Sequence, residues 1–398
     1  MGDLRVSFSE IYHEIRENVS SINGSRYGFS FLSYIKRWIP DIRFSCNDEC
    51  SNMYDIVLNY LWEMIYIDEW NNVCLSLCGL YANYVSLKCV NELRYHNSRD
   101  GPLSIWELKN LMKLCDLGLI FGCLRRESVL AKLATDVHQH ISIFYNISPQ
   151  NEEPQYMRIR PTQNKCVQIL DSPTEGYFRE TVMKDGNPVI IKSCMQDWPA
   201  MSTRKWSLRY LKKVAGWRTV PVQLNETYTH DPRKKQFMSI SKFIDCFINK
   251  ENNKKGYITQ HPLFEQVDRL WQDIQLPIYC KSWVKPNSDV KILTWFGPAN
   301  SRSPLRRDGI DLLFCQVIGQ KRLKLYSPEF SDKMPQENDF SKKKKERLKP
   351  YETCPNFDKI PFKTVLLGEG DMLYIPAMYW FTEESLTTSF SVTFHPSD

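Results

Sequence analysis

The chain has 398 residues, 42% of them hydrophobic and 13% aromatic, and its 52 basic and 46 acidic side chains leave a formal charge of +6. That length accommodates two domains with a core each, and the apolar content excludes an intrinsically disordered chain. The charge is too mild to predict direct nucleic-acid binding, and the lysine run at 342–345 reads as a solvated loop, with an acidic or nucleic-acid partner as the alternative.

The thirteen cysteines are an odd number spread over both halves. With no secretory signal at the start of the sequence, they predict reduced thiols in an intracellular compartment. The spacings Cys46-x3-Cys50 and Cys74-x3-Cys78 suggest zinc, but the second lies in an apolar helical stretch where a thiol behaves as a small hydrophobe. Apolar runs are interrupted by charge, as by Asp116 within 114–124, and fall short of a membrane span. A soluble protein with no membrane partner is expected.

Residues 1–146 read as a helical domain, with amphipathic or buried helical patterns over 54–70 and 73–90. Ser104-Ile-Trp-Glu107 fits a capping box, in which serine and glutamate satisfy amides left unpaired at a helix start. From there Ile105, Leu108, Met112, Cys115 and Leu119 recur at helical spacing and are predicted to face a core. Nothing in this half carries a catalytic arrangement; packing or partner docking is the role it suggests. Residues 147–165 are rich in proline and polar side chains and read as a linker.

From 166 to 398 the pattern becomes strand-like. Strands are predicted over 188–192, 219–224, 291–296, 312–317, 322–326, 364–367, 372–375 and 389–394, with a helix over 206–215. Many short strands with Gly and Pro turns predict a jelly roll or related barrel. Residues 312–326 read as a hairpin turning near Gly319. Alternation in its second strand puts Lys321, Leu323 and Leu325 on one face and Arg322 and Lys324 on the other. If the leucines point inward, Lys321 does too, and an enclosed ammonium needs an anion or a wet cavity. Exposure at a strand end is the alternative.

Several motifs stand together along this half. They include Trp295-Phe-Gly-Pro, Ser303-Pro-Leu-Arg-Arg-Asp308 and Tyr374-Ile-Pro-Ala-Met-Tyr-Trp-Phe381. Trp198-Pro, Lys205-Trp-Ser-Leu-x-Tyr, Arg218-Thr-Val-Pro-Val, Gly256-Tyr-x-x-Gln-His, Leu325-Tyr-Ser-Pro and Ser389-Phe-Ser-Val accompany them. The set resembles the Jumonji C oxygenases, in particular the lysine-demethylase-8 branch. The helical segment Cys115-Asp-Leu-Gly-Leu-Ile-Phe-Gly is similar to that branch as well, so the resemblance spans nearly the whole chain. It implies an α+β protein in which an all-helical N-terminal domain precedes a Jumonji C double-stranded β-helix of jelly-roll, cupin-like type, with flanking helices. Family members use Fe(II), 2-oxoglutarate and dioxygen for histone lysine demethylation or arginyl hydroxylation. Their iron is held by His-x-Asp and a later His, which fill one face of an octahedron.

By that resemblance, Asp308 stands at the carboxylate-ligand position. Tyr257 and Lys321 stand where the far carboxylate of 2-oxoglutarate is gripped, and Trp295 and Ser303 on the pocket wall. Arg306 and Phe381 occupy the two histidine positions, Leu312 replaces an asparagine near the co-substrate, and the chain closes on Phe394-His395-Pro-Ser-Asp398 instead of an aromatic ending. A guanidinium has no lone pair to donate and a phenyl ring no ligand atom. His230, His261 and His395 are the histidines of this half, and none is expected to rescue a metal.

Two arrangements of Arg306 are consistent with this. Its guanidinium takes the place of the metal and pairs with Asp308, leaving a pocket where Arg307 and Lys321 hold a dicarboxylate or another anion without turning it over; or it turns to solvent beside a vestigial pocket. No intact catalytic set and no tightly bound cofactor are expected, Asp308 alone remaining of the metal ligands. Three functions are compatible with this pattern: a non-catalytic pseudo-oxygenase that binds a protein partner, an active Fe(II)/2-oxoglutarate dioxygenase with an atypical site, and a scaffold built on the helical half. The missing imidazoles favour the first. The expected partner is a histone or other basic protein segment, and the expected compartment is the nucleus, with the cytoplasm second.

Overall fold

The structure is a computed structural model. It describes residues 48–67, 72–98, 103–144, 167–224, 232–249, 256–283, 289–334 and 357–396, with single helical positions at 11, 15 and 18. The predicted linker, the lysine run, His230 and Cys46 lie outside the described residues. Two compact units are present. One holds Met1–Ser148 together with Ala215–Val220 and Phe264–Asp268; the other holds the rest of the chain from Pro149 onward.

In the first unit, helices α1 (Asp48–Ile67), α2 (Leu75–Ser98), α3 (Ile105–Gly122) and α4 (Val129–Phe144) each pack on the next. The capping box forms as the sequence predicts. Glu107 accepts from the Ser104 amide at 2.7 Å, and the Glu107 amide donates back to Ser104 Oγ at 3.3 Å. Leu108, Met112, Cys115 and Leu119 are buried, while Ile105 is half-buried at the helix end. Gly118 and Gly122 mark close approaches: a Cβ at Gly118 would meet Leu130 Cδ2 at 2.6 Å and Val85 Cγ1 at 2.7 Å, and one at Gly122 would meet Ala82 Cβ at 2.4 Å. Cys74 is half-buried and Cys78 is buried. No helix among the described residues is long and apolar enough to cross a membrane.

Asp116, the charge that interrupts the apolar run of α3, is fully buried and paired with Arg218 in the same unit. Arg218 Nη2 and Nε donate to Oδ1 at 2.6 and 2.9 Å, Gln266 Nε2 donates to Oδ1 at 3.0 Å, and the Thr219 amide donates to Oδ2. Four donors make such a buried carboxylate tolerable. Burial still pushes its pKa up, against the opposing pull of the Arg218 guanidinium and the other donors.

The second unit is built on strands β1 (Gln168–Asp171), β2 (Val189–Lys192), β3 (Thr219–Leu224), β4 (Gln236–Ser239), β5 (Gly256–His261), β6 (Val290–Gly297), β7 (Arg306–Arg307), β8 (Leu312–Ile318), β9 (Lys321–Tyr326), β10 (Lys363–Leu367), β11 (Met372–Ile375), β12 (Trp380–Ser385) and β13 (Ser389–Pro396). They form a nine-stranded sheet, β1-β2-β11-β8-β13-β6-β5-β3-β4, and a four-stranded sheet, β10-β9-β12-β7. One apolar cluster joins their facing sides. Ile190, Leu312, Phe314, Leu373 and Ile375 come from the larger sheet, and Leu323, Leu325, Val365, Leu367 and Phe381 from the smaller. Every residue of β8 is buried, as befits a central strand, whereas β9 alternates buried with exposed or half-buried positions from Lys321 to Leu325.

This corrects two expectations. The sheets do not close into a barrel, so the double-stranded β-helix implied by resemblance is not the architecture present. The larger sheet ends at β1 and β4 and the smaller at β10 and β7, and among the described residues no strand joins the two. The two-residue β7 pairs with β12 alone, which ends the smaller sheet there. Short alternating strands suit a closed barrel and an open two-sheet stack equally, and local pattern does not carry the distant pairings that distinguish them. The second correction is local. Strands β8 and β9 are not a hairpin; they belong to different sheets, and the chain crosses between layers at Gly319, whose φ is +76°. A Cβ at that glycine would run into the Thr388 carbonyl and the Thr387 hydroxyl.

Candidate functional site: a cation pocket between two sheets

The site gathers on β5, β6, β7, β9 and β12. Register sets its centre: Arg306 of β7 is the Cα partner of Phe381 on β12, and Arg307 that of Trp380. The Arg306 guanidinium carbon lies 4.2 Å from the Trp295 ring centre and 4.4 Å from that of Phe381. The side chain is only 10% exposed, so it does not turn to solvent. Its Nε is 3.7 Å from Asp308 Oδ2, an ion pair too long for a hydrogen bond. All three guanidinium nitrogens and Asp308 Oδ2 are buried without a hydrogen-bond partner among the described residues. Stacking between aromatic faces suits the weakly hydrated, planar guanidinium better than it would an ammonium.

A second cation lies deeper. Lys321 is fully buried on the same face of β9 as Leu323 and Leu325, the inward arrangement that alternation allows. Its Nζ donates to Tyr257 Oη at 2.8 Å and to Glu383 Oε2 at 2.8 Å. The rings of Phe314, Tyr257 and Trp295 lie 5.1, 5.5 and 5.9 Å from that nitrogen. Burial lowers the Lys321 pKa, Glu383 pulls it back up, and Arg306 adds a smaller lowering. Glu383 is 2% exposed and is held by its backbone. The Ser303 amide donates to the Glu383 carbonyl at 3.0 Å, and the Glu383 amide donates to Ser303 Oγ at 3.1 Å.

The structure thus brings together Tyr257, Trp295, Ser303, Arg306, Asp308, Lys321 and Phe381. Leu312 belongs to the apolar cluster between the sheets. His261 is buried on β5, and His395 is buried on β13 with its Nε2 3.1 Å from Thr393 Oγ1. Burial, with Arg306 and Lys291 adding to it, pushes the His395 pKa from 6.5 down to about 3. Sequence reasoning missed Glu383. Its signal was there in two parts: an inward Lys321 requires an anion, and Glu383 shares the face of Phe381 two residues earlier on the same strand.

Do these residues fit ferrous iron? The donor set is one carboxylate oxygen pair, with a guanidinium beside it and a phenyl ring across the strand. A divalent ion there would meet a fixed positive charge and lack both imidazole nitrogens. Among the described residues no group of three or more His, Cys, Asp or Glu is placed to hold a metal ion. The site does not fit the metal.

Two facing sheets that enclose a cluster of buried charged side chains suit a cupin-like protein, and a cupin-like domain family matches residues 175–395. The chain is 31% identical over 353 residues to lysine-specific demethylase 8 of Danio rerio, covering 85% of this chain and 86% of that one. It is 33% identical over 362 residues to Jumonji C domain-containing protein 5 of Drosophila melanogaster, covering 87% of each. With a lysine-specific demethylase of Arabidopsis thaliana the figures are 34% over 376 residues, 84% of this chain and 83% of that one. The chain belongs to the cupin-like, JmjC-domain family.

Proposed function

We propose that this chain is a non-catalytic JmjC protein of the lysine-demethylase-8 type, which binds a protein segment without oxidising it. The observation that carries the reading is the placement of Arg306. Its guanidinium, stacked between Trp295 and Phe381 and paired with Asp308, puts a permanent organic cation where the resemblance would put iron. The relatives named as lysine-specific demethylases act on lysine; the property carried to this chain is recognition of a basic segment, such as a histone tail, in the nucleus. Fold alone does not transfer activity when the site has changed.

The test is twofold. Purified chain incubated aerobically with Fe(II) and 2-oxoglutarate is expected to form no succinate above a protein-free blank, while histone-tail peptides titrated against it bind saturably. Succinate formation that depends on Asp308 would overturn the non-catalytic part. Peptide binding no stronger than that to scrambled acidic sequences would overturn the partner assignment.

A further inference from the structure

Lys321 and Tyr257 stand where the resemblance places the grip on the far carboxylate of 2-oxoglutarate, and in this chain that grip already holds a carboxylate. Glu383 Oε2 accepts from Lys321 Nζ at 2.8 Å, the same distance at which Tyr257 Oη accepts from it. All three side chains are buried. We propose that Glu383 is a tethered occupant of this anion seat, its side chain standing in for the terminal carboxylate of a dicarboxylic acid and keeping such acids out. The proposal deepens the non-catalytic reading and rests on it.

Three physical considerations support it. The first is charge. A buried ammonium needs one anion, and Glu383 supplies it; a second carboxylate on the same nitrogen would bring two like charges together in a space closed to water. The second is tethering. An anion on the chain competes at a high effective concentration and loses no translational freedom on pairing, so a free acid must displace it at a disadvantage. The third is rigidity. Glu383 is delivered by a strand, with Leu323 as its Cα partner on β9 and Ser303 bonded to both its amide and its carbonyl. Its backbone is anchored in a way that a loop residue's is not. Arg306 with Asp308 then fills the metal's place and Lys321 with Glu383 the co-substrate's, so each half of the cofactor set is replaced by residues of the chain.

The experiment uses the full chain without added metal, titrated with succinate and with 2-oxoglutarate by calorimetry and thermal shift. The wild type is expected to bind neither. Glu383→Ala is expected to bind both saturably and to gain melting temperature with them, and the further change Lys321→Met to abolish the gain. Should Glu383→Ala fail to fold by itself, succinate added during refolding is expected to rescue it, because it returns the missing anion; failure of that rescue counts against the proposal. Lys321-dependent dicarboxylate binding by the wild type overturns it, as does a folded Glu383→Ala that ignores both acids. These outcomes are separate from metal-dependent turnover by the wild type, which would remove the non-catalytic reading itself.

Discussion

Arg306 and Phe381 are direct partners across β7 and β12, with the guanidinium carbon of one 4.4 Å from the ring centre of the other. The two positions that resemblance assigns to iron-binding imidazoles therefore face each other, and their replacements satisfy one another as cation and aromatic face. Two unrelated losses would leave a cavity or an isolated charge. Here the second ring of the stack, Trp295, comes from the opposite sheet and completes an aromatic sandwich.

Because register already opposes the two positions, the double substitution Arg306→His with Phe381→His is expected to create a divalent-metal site with Asp308. Either substitution alone leaves two donors at most and is expected to bind no metal. Thermal denaturation with Mn(II) or Co(II) checks this, since an ion at a hundred times its Kd adds about 2.7 kcal/mol to the native state. A double variant whose melting point ignores the metal would mean that the surrounding pocket has lost the geometry as well as the ligands.

In the helical unit, Arg218→Met is expected to cost roughly 3–5 kcal/mol at neutral pH, because it strands the fully buried Asp116 carboxylate. The sign of its pH dependence follows from the raised pKa of Asp116. The folded state holds that proton more tightly than the unfolded chain does, so the penalty shrinks as the solution is acidified through the folded pKa. Adding Asp116→Leu should recover most of the loss. Urea titrations of the three variants at several pH values measure it, and an Arg218→Met penalty independent of pH would be the contrary result.

His395 is expected to make the second unit acid-labile. Its folded pKa of about 3 lies below the 6.5 of a free imidazole, so the unfolded chain takes up a proton first as pH falls. Stability is thus lost below about pH 6.5, with a slope approaching 1.4 kcal/mol per pH unit from this one group. His395→Gln should flatten that part of the profile. Comparing denaturation midpoints of the two proteins between about pH 7 and pH 4 is the check; parallel profiles would remove His395 as the cause.

Much of this was legible in the sequence because it is local. Helical periodicity and the capping box at Ser104 and Glu107 locate α3, and alternation along β9 puts Lys321 beside two leucines before any pairing is known. Resemblance to the Jumonji C motif places Arg306, Asp308 and Phe381 at one site. What was not legible is non-local. Strands β8 and β9 look like a hairpin because they are adjacent and separated by a glycine, yet each finds its partners elsewhere. Strand β7 is too short to carry a period, and its existence depends on β12. The anion for Lys321 lies 62 positions away, and its identity appears only once β9 and β12 are paired.

The absence of an iron site is tested most directly by titrating the wild-type chain with Mn(II) and following the free ion by electron paramagnetic resonance, with Asp308→Ala as the control. The expected result is a free-ion signal that rises in proportion to added metal and is the same for both proteins. A saturable, micromolar site in the wild type that disappears in Asp308→Ala would contradict it.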